Sequence, residues 1–111
     1  MAAYMIIAAK ISDRDAFIEG YGKAAAALVE QFGGRYVLRG PGAELLEGEF
    51  GDGASVVISE WPDKAAARRF WNSPEYAQVK RRREGIADCQ VLLIEANAEP
   101  PISIGGTAPA N

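Results

Sequence analysis

Three short apolar segments limit what this chain can fold into more than any other feature: MIIAA (5–9), VVI (56–58) and VLLI (91–94). Each has the length of a β-strand and is too short for a buried helix. A strand with one face in water alternates apolar and polar residues, whereas these segments are apolar at every position. The sequence therefore predicts strands that are covered on both faces.

The segment after the first strand has the pattern of an amphipathic helix. Ser12 is the predicted N-cap, because its hydroxyl can accept a hydrogen bond from the first turn, and Gly33-Gly34 predicts the end. Between these signals apolar residues recur at spacings of three and four, as they do on one face of a helix. They are Phe17, Tyr21, Ala24, Ala25, Leu28 and Phe32.

Two capping signals divide the second helical region. Asp63 predicts the N-cap of a helix that stops near Asn72. Ser73, with Pro74 at the first helical position, predicts the cap of another helix that runs to Gly85. The region between the last two strands is therefore predicted to contain two short helices.

Strands and helices follow one another in an order that indicates the fold. Strands are predicted over residues 3–11, 35–39, 54–61 and 90–96. The resulting order, βαββαβ, predicts an α+β ferredoxin-like sandwich, an antiparallel sheet with helices on one face. Residues 1–96 are predicted to form this single domain. Residues 97–111 are predicted to be a flexible Pro/Gly-rich tail, in which Ile102 and Ile104 can form a short edge strand.

The helices of such a fold cover only one face of the sheet. Since the strands are apolar on both faces, we predict that a second copy of the same sheet covers the other face in a symmetric homodimer. A sheet-on-sheet interface of this kind buries on the order of 1,500 Å² or more.

The chain contains no histidine, and Cys89 is its one cysteine. It thus lacks the commonest general base, the commonest metal ligand and the usual proximal haem ligand, so we predict no metal and no cofactor. A single thiol fits a reducing cytoplasm. The apolar N-terminus has no basic segment before it and only the length of a strand, which predicts neither a signal peptide nor a membrane span. A cytoplasmic location is the resulting expectation.

Four consecutive cations, Lys80 to Arg83, stand out in a chain of net charge −3. Consecutive residues fan out around a helix, so these side chains do not all reach one surface. We interpret most of them as a solvated last helical turn that favours the helix dipole, and predict no nucleic-acid binding.

Several motifs resemble the domain of unknown function 1330 family, over roughly residues 3–96. The most specific are GGR (33–35) at the end of the first helix and SPEY (73–76) with its upstream aromatic pair FW (70–71). The family is placed in the dimeric α/β-barrel superfamily of ferredoxin-like proteins, so the resemblance also implies a homodimer. Wider relatives include cofactor-free monooxygenases, lactone isomerases, haem-degrading enzymes and simple binding proteins, and the fold alone does not select among these.

Three positions depart from the family pattern. Trp61 stands where phenylalanine usually precedes the proline, and Phe70-Trp71 stands where a Trp-Tyr pair is usual. An arginine common just before the third strand is replaced around Ser55. If that arginine orients a ligand in relatives, this chain binds a ligand differently or does not bind one.

Trp71 and Tyr76 allow two interpretations. They pack in the core of the two short helices, or they line an apolar pocket between helices and sheet, with Tyr21 opposite. In the second case Asn72 donates a hydrogen bond to a small organic ligand. Arg83, which matches a family position, then turns inward to supply charge.

Glu60 is the candidate catalytic residue. By alternation it shares a face with apolar residues of its strand, so its carboxylate needs a partner. Antiparallel pairing brings Arg35 close to it, which predicts a structural ion pair; the alternative is a general base with a pKa raised by burial. Strict alternation also places Arg39 on the same face as Arg35, and Tyr36 and Leu38 on the other.

Two classes of function follow from these residues. One is cofactor-independent oxygenase or isomerase-type chemistry on a small organic substrate with a stabilised carbanion. The other is a non-catalytic dimeric binding or structural protein. A cavity of about 300 Å³ or more beside Trp71 favours a ligand site, and continuous packing there favours the structural role. Cys89 has no evident cationic partner in the sequence and is predicted to be an inert thiol.

Overall fold

A computed structural model describes residues 1–96 of the chain. The strands are β1 (Ala2–Ile11), β2 (Arg35–Gly40), β3 (Ser55–Trp61) and β4 (Ala87–Ala96). The helices are α1 (Arg14–Ala16), α2 (Lys23–Gln31), α3 (Lys64–Trp71) and α4 (Pro74–Arg81), and a π-helical segment (Phe17–Gly22) joins α1 to α2. The predicted edge strand of Ile102 and Ile104 lies outside the described residues.

The four strands form one sheet in the order β2-β3-β1-β4, and every neighbouring pair is antiparallel. The helices pack on one face of this sheet and leave the other open. The predicted α+β ferredoxin-like fold is therefore confirmed. None of the helices within residues 1–96 is both long and apolar enough to cross a bilayer.

The capping signals of the second helical region are confirmed. Asp63 and Ser73 each accept a hydrogen bond from the backbone N–H three residues ahead, at 2.8 and 3.0 Å. The last helix ends at Arg81, before the predicted Gly85, because turns occupy the residues between them. Gly85 has a φ of 83°, a conformation that favours glycine and suits this turn.

The N-cap of the first helix is Asp13, and the prediction of Ser12 was wrong. The Asp13 carboxylate accepts from the backbone N–H of Ala16 at 3.1 Å. Ser12 instead donates its hydroxyl to the carbonyl oxygen of Ile86 at 3.2 Å. A long-range partner that the local sequence does not reveal thus decided between two residues of good capping chemistry.

Trp61 lies at the centre of the core between helices and sheet, with 1% of its surface exposed. Its indole N–H donates to the hydroxyl of Ser59 at 2.9 Å, which satisfies the buried polar atom. The two glycines that follow α2 are required for different reasons. Gly33 has a φ of 95°, whereas a Cβ on Gly34 would lie 2.8 Å from the ring of Trp61. The GG motif therefore combines a helix end with a close approach to the core.

A β-bulge at Val37 changes which face the second strand presents. The register shifts between Tyr36 and Leu38, so alternation restarts one residue later. Arg39 consequently shares the helix-covered face with Tyr36, while Arg35 lies on the open face. The prediction that Arg35 and Arg39 share a face was wrong, because a bulge leaves no mark in simple alternation.

The open face of the sheet is apolar, as the sequence predicts. Leu38, Leu92 and Ile94 lie on this face with 49%, 64% and 49% of their surfaces exposed. Ile6 and Ile58 lie between them and are half-buried. Large neighbouring apolar side chains of this kind usually mark a surface that binds another molecule.

Candidate functional site

A cavity of about 560 Å³ lies between the first helical region and the sheet. We call it the helix–sheet cavity. Strands β1, β2 and β3 provide one wall, and α1, the π-helical segment and the start of α2 provide the other.

Small apolar side chains leave this space open. Ile7, Ala9 and Val57 line it from the sheet, and Ala25 and Ala26 line it from α2. Because an alanine side chain ends at Cβ, α2 spans the sheet here without filling the gap. A gap of this size is far larger than the voids left by ordinary packing.

The π-helical segment forms the aromatic end of the cavity. Phe17, Ile18, Tyr21 and Gly22 all contribute to the lining. The rings of Phe17 and Tyr21 lie 5.0 Å apart, so they form a continuous aromatic surface. A π-helical turn inserts an extra residue into a helix and is frequent at functional sites. Here its residues Phe17 and Tyr21 both face the cavity.

Three cations line the cavity, and they differ in their partners. Arg14 donates to the hydroxyl of Ser55 at 2.8 Å. Lys23 forms an ion pair with Glu19 at 3.0 Å on the exposed helix surface. Arg14 therefore contacts a neutral group, whereas the charge of Lys23 is already compensated.

Arg39 is the third cation, and it reaches the cavity because of the bulge in β2. Its guanidinium lies 5.6 Å from the centre of the Tyr36 ring, within range of a cation–π contact. No aspartate or glutamate is among the described residues that line the cavity. The cavity thus combines apolar walls with an excess of positive charge.

Tyr21 connects the cavity to a buried polar cluster. Its hydroxyl lies 2.7 Å from that of Tyr76, which is 2% exposed. The guanidinium of Arg83 lies 5.4 Å from the centre of the Tyr21 ring, and its buried Nε has no hydrogen-bond partner within residues 1–96. Burial first, and the neighbouring Tyr76 hydroxyl second, raise the pKa of Tyr21 above its ordinary value of 10.0. Arg83 is half-buried beside this cluster.

Trp71 and Tyr76 pack against each other and against the core. The Trp71 ring stacks 5.3 Å from that of Tyr76, and Lys80 lies 4.4 Å above it. Asn72 is the exposed C-cap of α3. Of the five predicted ligand-binding residues, Tyr21 alone lines the helix–sheet cavity; Trp71, Asn72, Tyr76 and Arg83 do not.

Glu60 lies on the opposite face of the sheet from the cavity. Its carboxylate accepts hydrogen bonds from the Tyr4 hydroxyl at 3.0 Å and from Arg35 at 2.5 Å. The Arg35–Glu60 ion pair is therefore present, as the antiparallel register predicts. The structure does not bring Glu60 together with the predicted ligand-binding residues, since the sheet separates them.

Sequence reasoning missed Arg14, Tyr36 and Arg39 as lining residues. The run of alanines at 24–27 was a usable signal, because small residues on the sheet-facing side of a helix leave space. The bulge that turns Arg39 inward had no such signal.

Cys89 lies in β4 and is half-buried. Burial raises the pKa of its thiol, and nearby Arg83 offsets this effect only in part. A raised pKa keeps the thiol protonated and less nucleophilic at neutral pH. Within residues 1–96, no three His, Cys, Asp or Glu side chains converge in a metal-ligating group.

The sheet order and the one-sided helix layer define the class of protein. It is the ferredoxin-like α+β fold. Within this class, the chain belongs to the family described as Domain of unknown function (DUF1330), whose model matches residues 2–97. The resemblance seen in the sequence motifs is confirmed. A comparison with curated proteins gave no match.

Solved structures share this fold at low sequence identity. A protein of unknown function from Rhodopseudomonas palustris is 19% identical, with a TM-score of 0.71 over 88% of this chain and 84% of that one. SnoaB from Streptomyces nogalater, a cofactor-independent oxygenase, is 18% identical, with a TM-score of 0.64 over 90% and 97%. A possible oxidoreductase from Bacteroides thetaiotaomicron is 10% identical, with a TM-score of 0.60 over 86% and 97%. At these identities the likeness shows the fold.

Proposed function

We propose that this protein is a cytoplasmic homodimer that binds a small organic molecule in the helix–sheet cavity of each protomer. We further propose that it acts on this molecule without a metal or cofactor, in oxygenase or isomerase-type chemistry. The observation that carries the proposal is the cavity itself. Its volume of about 560 Å³ falls within the range of about 300–1,000 Å³ that is typical of ligand pockets.

The chemistry of the lining favours an acidic substrate. No carboxylate among the described residues lines the cavity, and the chain has no histidine, so the wall offers no ordinary general base. Arg14 and Arg39 instead stabilise negative charge on the substrate, which lowers its pKa and lets it lose a proton to solvent. The chemistry proposed here therefore depends on the acidity of the substrate.

Such a substrate anion can react with dioxygen, which serves as the oxidant. A CH₂ group that has lost one proton takes up O₂ as a peroxide, regains a proton and eliminates water, which leaves a carbonyl group. The structural likeness to SnoaB supports this reaction class, since that protein is a cofactor-independent oxygenase.

The homodimer is supported by the open face of the sheet. Leu38, Leu92 and Ile94 expose apolar surface in one region, and a second identical sheet would cover it by two-fold symmetry. The Arg35–Glu60 pair on the same face adds opposite charges near this region. Leu92→Lys should shift the native mass from dimer to monomer, whereas Ala77→Lys on the exposed side of α4 should leave the dimer intact. A wild-type monomer would contradict the assembly.

The second candidate is non-catalytic binding, and the lack of a carboxylate base in the described lining favours it. Incubation of the protein with candidate phenols and β-diketones separates the two. Oxygen consumption or isomerisation above the rate without protein supports catalysis. Bound but unchanged compounds support the binding role.

Native mass spectrometry of freshly purified protein, followed by denaturation and analysis of released molecules, tests the site directly. Ala26→Phe should fill the cavity and remove the ligand. Ala27→Phe is the matched control, because Ala27 lies on the exposed side of the same helix. A ligand retained equally by both variants places it elsewhere. An empty wild-type protein that binds no member of a panel of aromatic acids, phenols and diketones contradicts the site.

A further inference from the structure

We infer that the helix–sheet cavity selects an organic anion, with an apolar ring system against its walls and an acidic group at Arg14 and Arg39. This inference rests on the proposed ligand site and adds the chemical class of the ligand.

The distribution of charge is the first argument. The whole chain carries 15 acidic and 12 basic residues, for a net charge of −3. The described lining of the cavity holds three basic residues and no acidic one. A positive site in a negative protein repels cations locally and attracts anions, so it discriminates between ligands by charge.

The partners of the three cations are the second argument. Lys23 is compensated by Glu19. Among residues 1–96 neither Arg14 nor Arg39 has a carboxylate within 4.0 Å. A guanidinium has five N–H donors, and the hydroxyl of Ser55 uses only one donor of Arg14. Most donors of both arginines therefore remain available to a ligand.

The geometry of guanidinium indicates what kind of acid these donors bind. Its planar arrangement of N–H groups matches a carboxylate through two parallel hydrogen bonds. Arg14 and Arg39 are exposed at the edge of the cavity, so they can bind an acidic group there while the apolar walls contact the rest of the ligand.

The remaining lining defines the body of the ligand. Ile7, Ala9 and Val57 form an apolar floor, and the rings of Phe17 and Tyr21 form one end. Inorganic phosphate would leave these surfaces unfilled. A flat ring system covers them and gains from ring stacking as well as burial.

Naphthalene-2-carboxylate and naphthalene-2-carboxamide are matched probes, since they share shape and ring area but differ in charge. Both are titrated into the full-length wild-type protein, and affinities are measured by calorimetry. Amide-resonance shifts in ¹⁵N spectra show whether the cavity residues respond. Arg14→Gln and Arg39→Gln remove the proposed anchors. Arg68→Gln and Arg69→Gln make the same change of charge on the exposed side of α3, away from the cavity.

The carboxylate should bind about tenfold more tightly than the carboxamide, and each anchor substitution should weaken it about five- to tenfold. Carboxamide binding and both control variants should be unchanged. Added salt should weaken carboxylate binding by wild-type protein, which tests the charge without any substitution.

Equal affinity for the two probes overturns this inference but leaves the ligand site intact. Carboxylate binding that neither anchor substitution weakens also overturns it. If neither probe binds or shifts the cavity resonances, the proposed ligand site fails, and this inference fails with it.

Discussion

The two halves of the helix–sheet interface are built from opposite kinds of side chain. Under α3 and α4, large rings meet directly: Phe70 lies 4.5 Å from Tyr76 and 5.1 Å from Trp61, measured between ring centroids. Under α2, alanines face the sheet across an open cavity. In this protein, the aromatics of α3 and α4 form a closed core, whereas the alanines of α2 leave an open space above the sheet.

The largest expected effect comes from truncating one side chain in each half of the interface, Phe70→Ala in the closed half and Ile18→Ala in the open half. Phe70 is 3% exposed in the closed half, so its truncation should lower the free energy of unfolding by about 3–5 kcal/mol. Ile18 is 40% exposed at the open cavity, so its truncation should lower the free energy of unfolding by less than about 1 kcal/mol. Denaturant unfolding measures both values. Similar losses would contradict the difference in packing.

Gly34→Ala probes the close approach in the closed half. The new Cβ would lie 2.8 Å from three atoms of the Trp61 ring, so we expect a loss of about 1–3 kcal/mol. Gly20→Ala is the control, because nothing lies within 4 Å of its added Cβ. In a double-mutant cycle, Trp61→Phe should recover part of the loss, since the smaller ring leaves room. Additive effects would show that the ring is not the obstacle.

Tyr21→Phe removes the hydroxyl that contacts Tyr76 and so links the two halves. Its effect should appear in how stability depends on pH. The folded protein holds the Tyr21 proton more tightly than the unfolded chain does. The contribution of Tyr21 to the free energy of unfolding is therefore complete below the unfolded pKa of 10.0 and decreases as pH rises above it. The wild type should lose up to about 1.4 kcal/mol per pH unit more than Tyr21→Phe in this range. Unfolding curves at pH 9, 10 and 11 measure the difference. Parallel pH profiles would contradict the burial of this hydroxyl.

Glu60→Gln should have the smallest effect. Its partner Arg35 has a side chain that is 72% exposed, so the ion pair contributes no more than about 1 kcal/mol to stability. Since the sheet separates Glu60 from the cavity, affinity for naphthalene-2-carboxylate should not change. Loss of turnover with unchanged affinity would instead identify Glu60 as a catalytic base.

Local patterns in the sequence predicted most of the fold. Caps at Asp63 and Ser73, the GG helix end and the apolar strands depend on neighbouring residues and on chain stiffness, so they can be read from short segments. The choice of Asp13 over Ser12 as N-cap could not be predicted from local sequence, because the carbonyl of Ile86, which accepts a hydrogen bond from the Ser12 hydroxyl, lies 74 residues away.

The candidate site was less predictable, because its position depends on how two layers meet. Tyr21 was identified from its place on the sheet-facing side of the first helix. The sequence allows Trp71 and Tyr76 either a core or a pocket position, because large aromatics suit both. The structure packs them in the core, and the open space lies beside the small side chains of α2.

The sequence by itself determined the order of elements, the ferredoxin-like sheet, its apolar open face and the pairing of Arg35 with Glu60. These features follow from periodicity, capping and antiparallel register. Only the tertiary structure decided that Arg39 faces the helices and that Arg14 joins it in one cavity. A single bulged residue reverses the faces of a strand, and the gap between two layers depends on all the side chains between them, so neither can be read from local pattern.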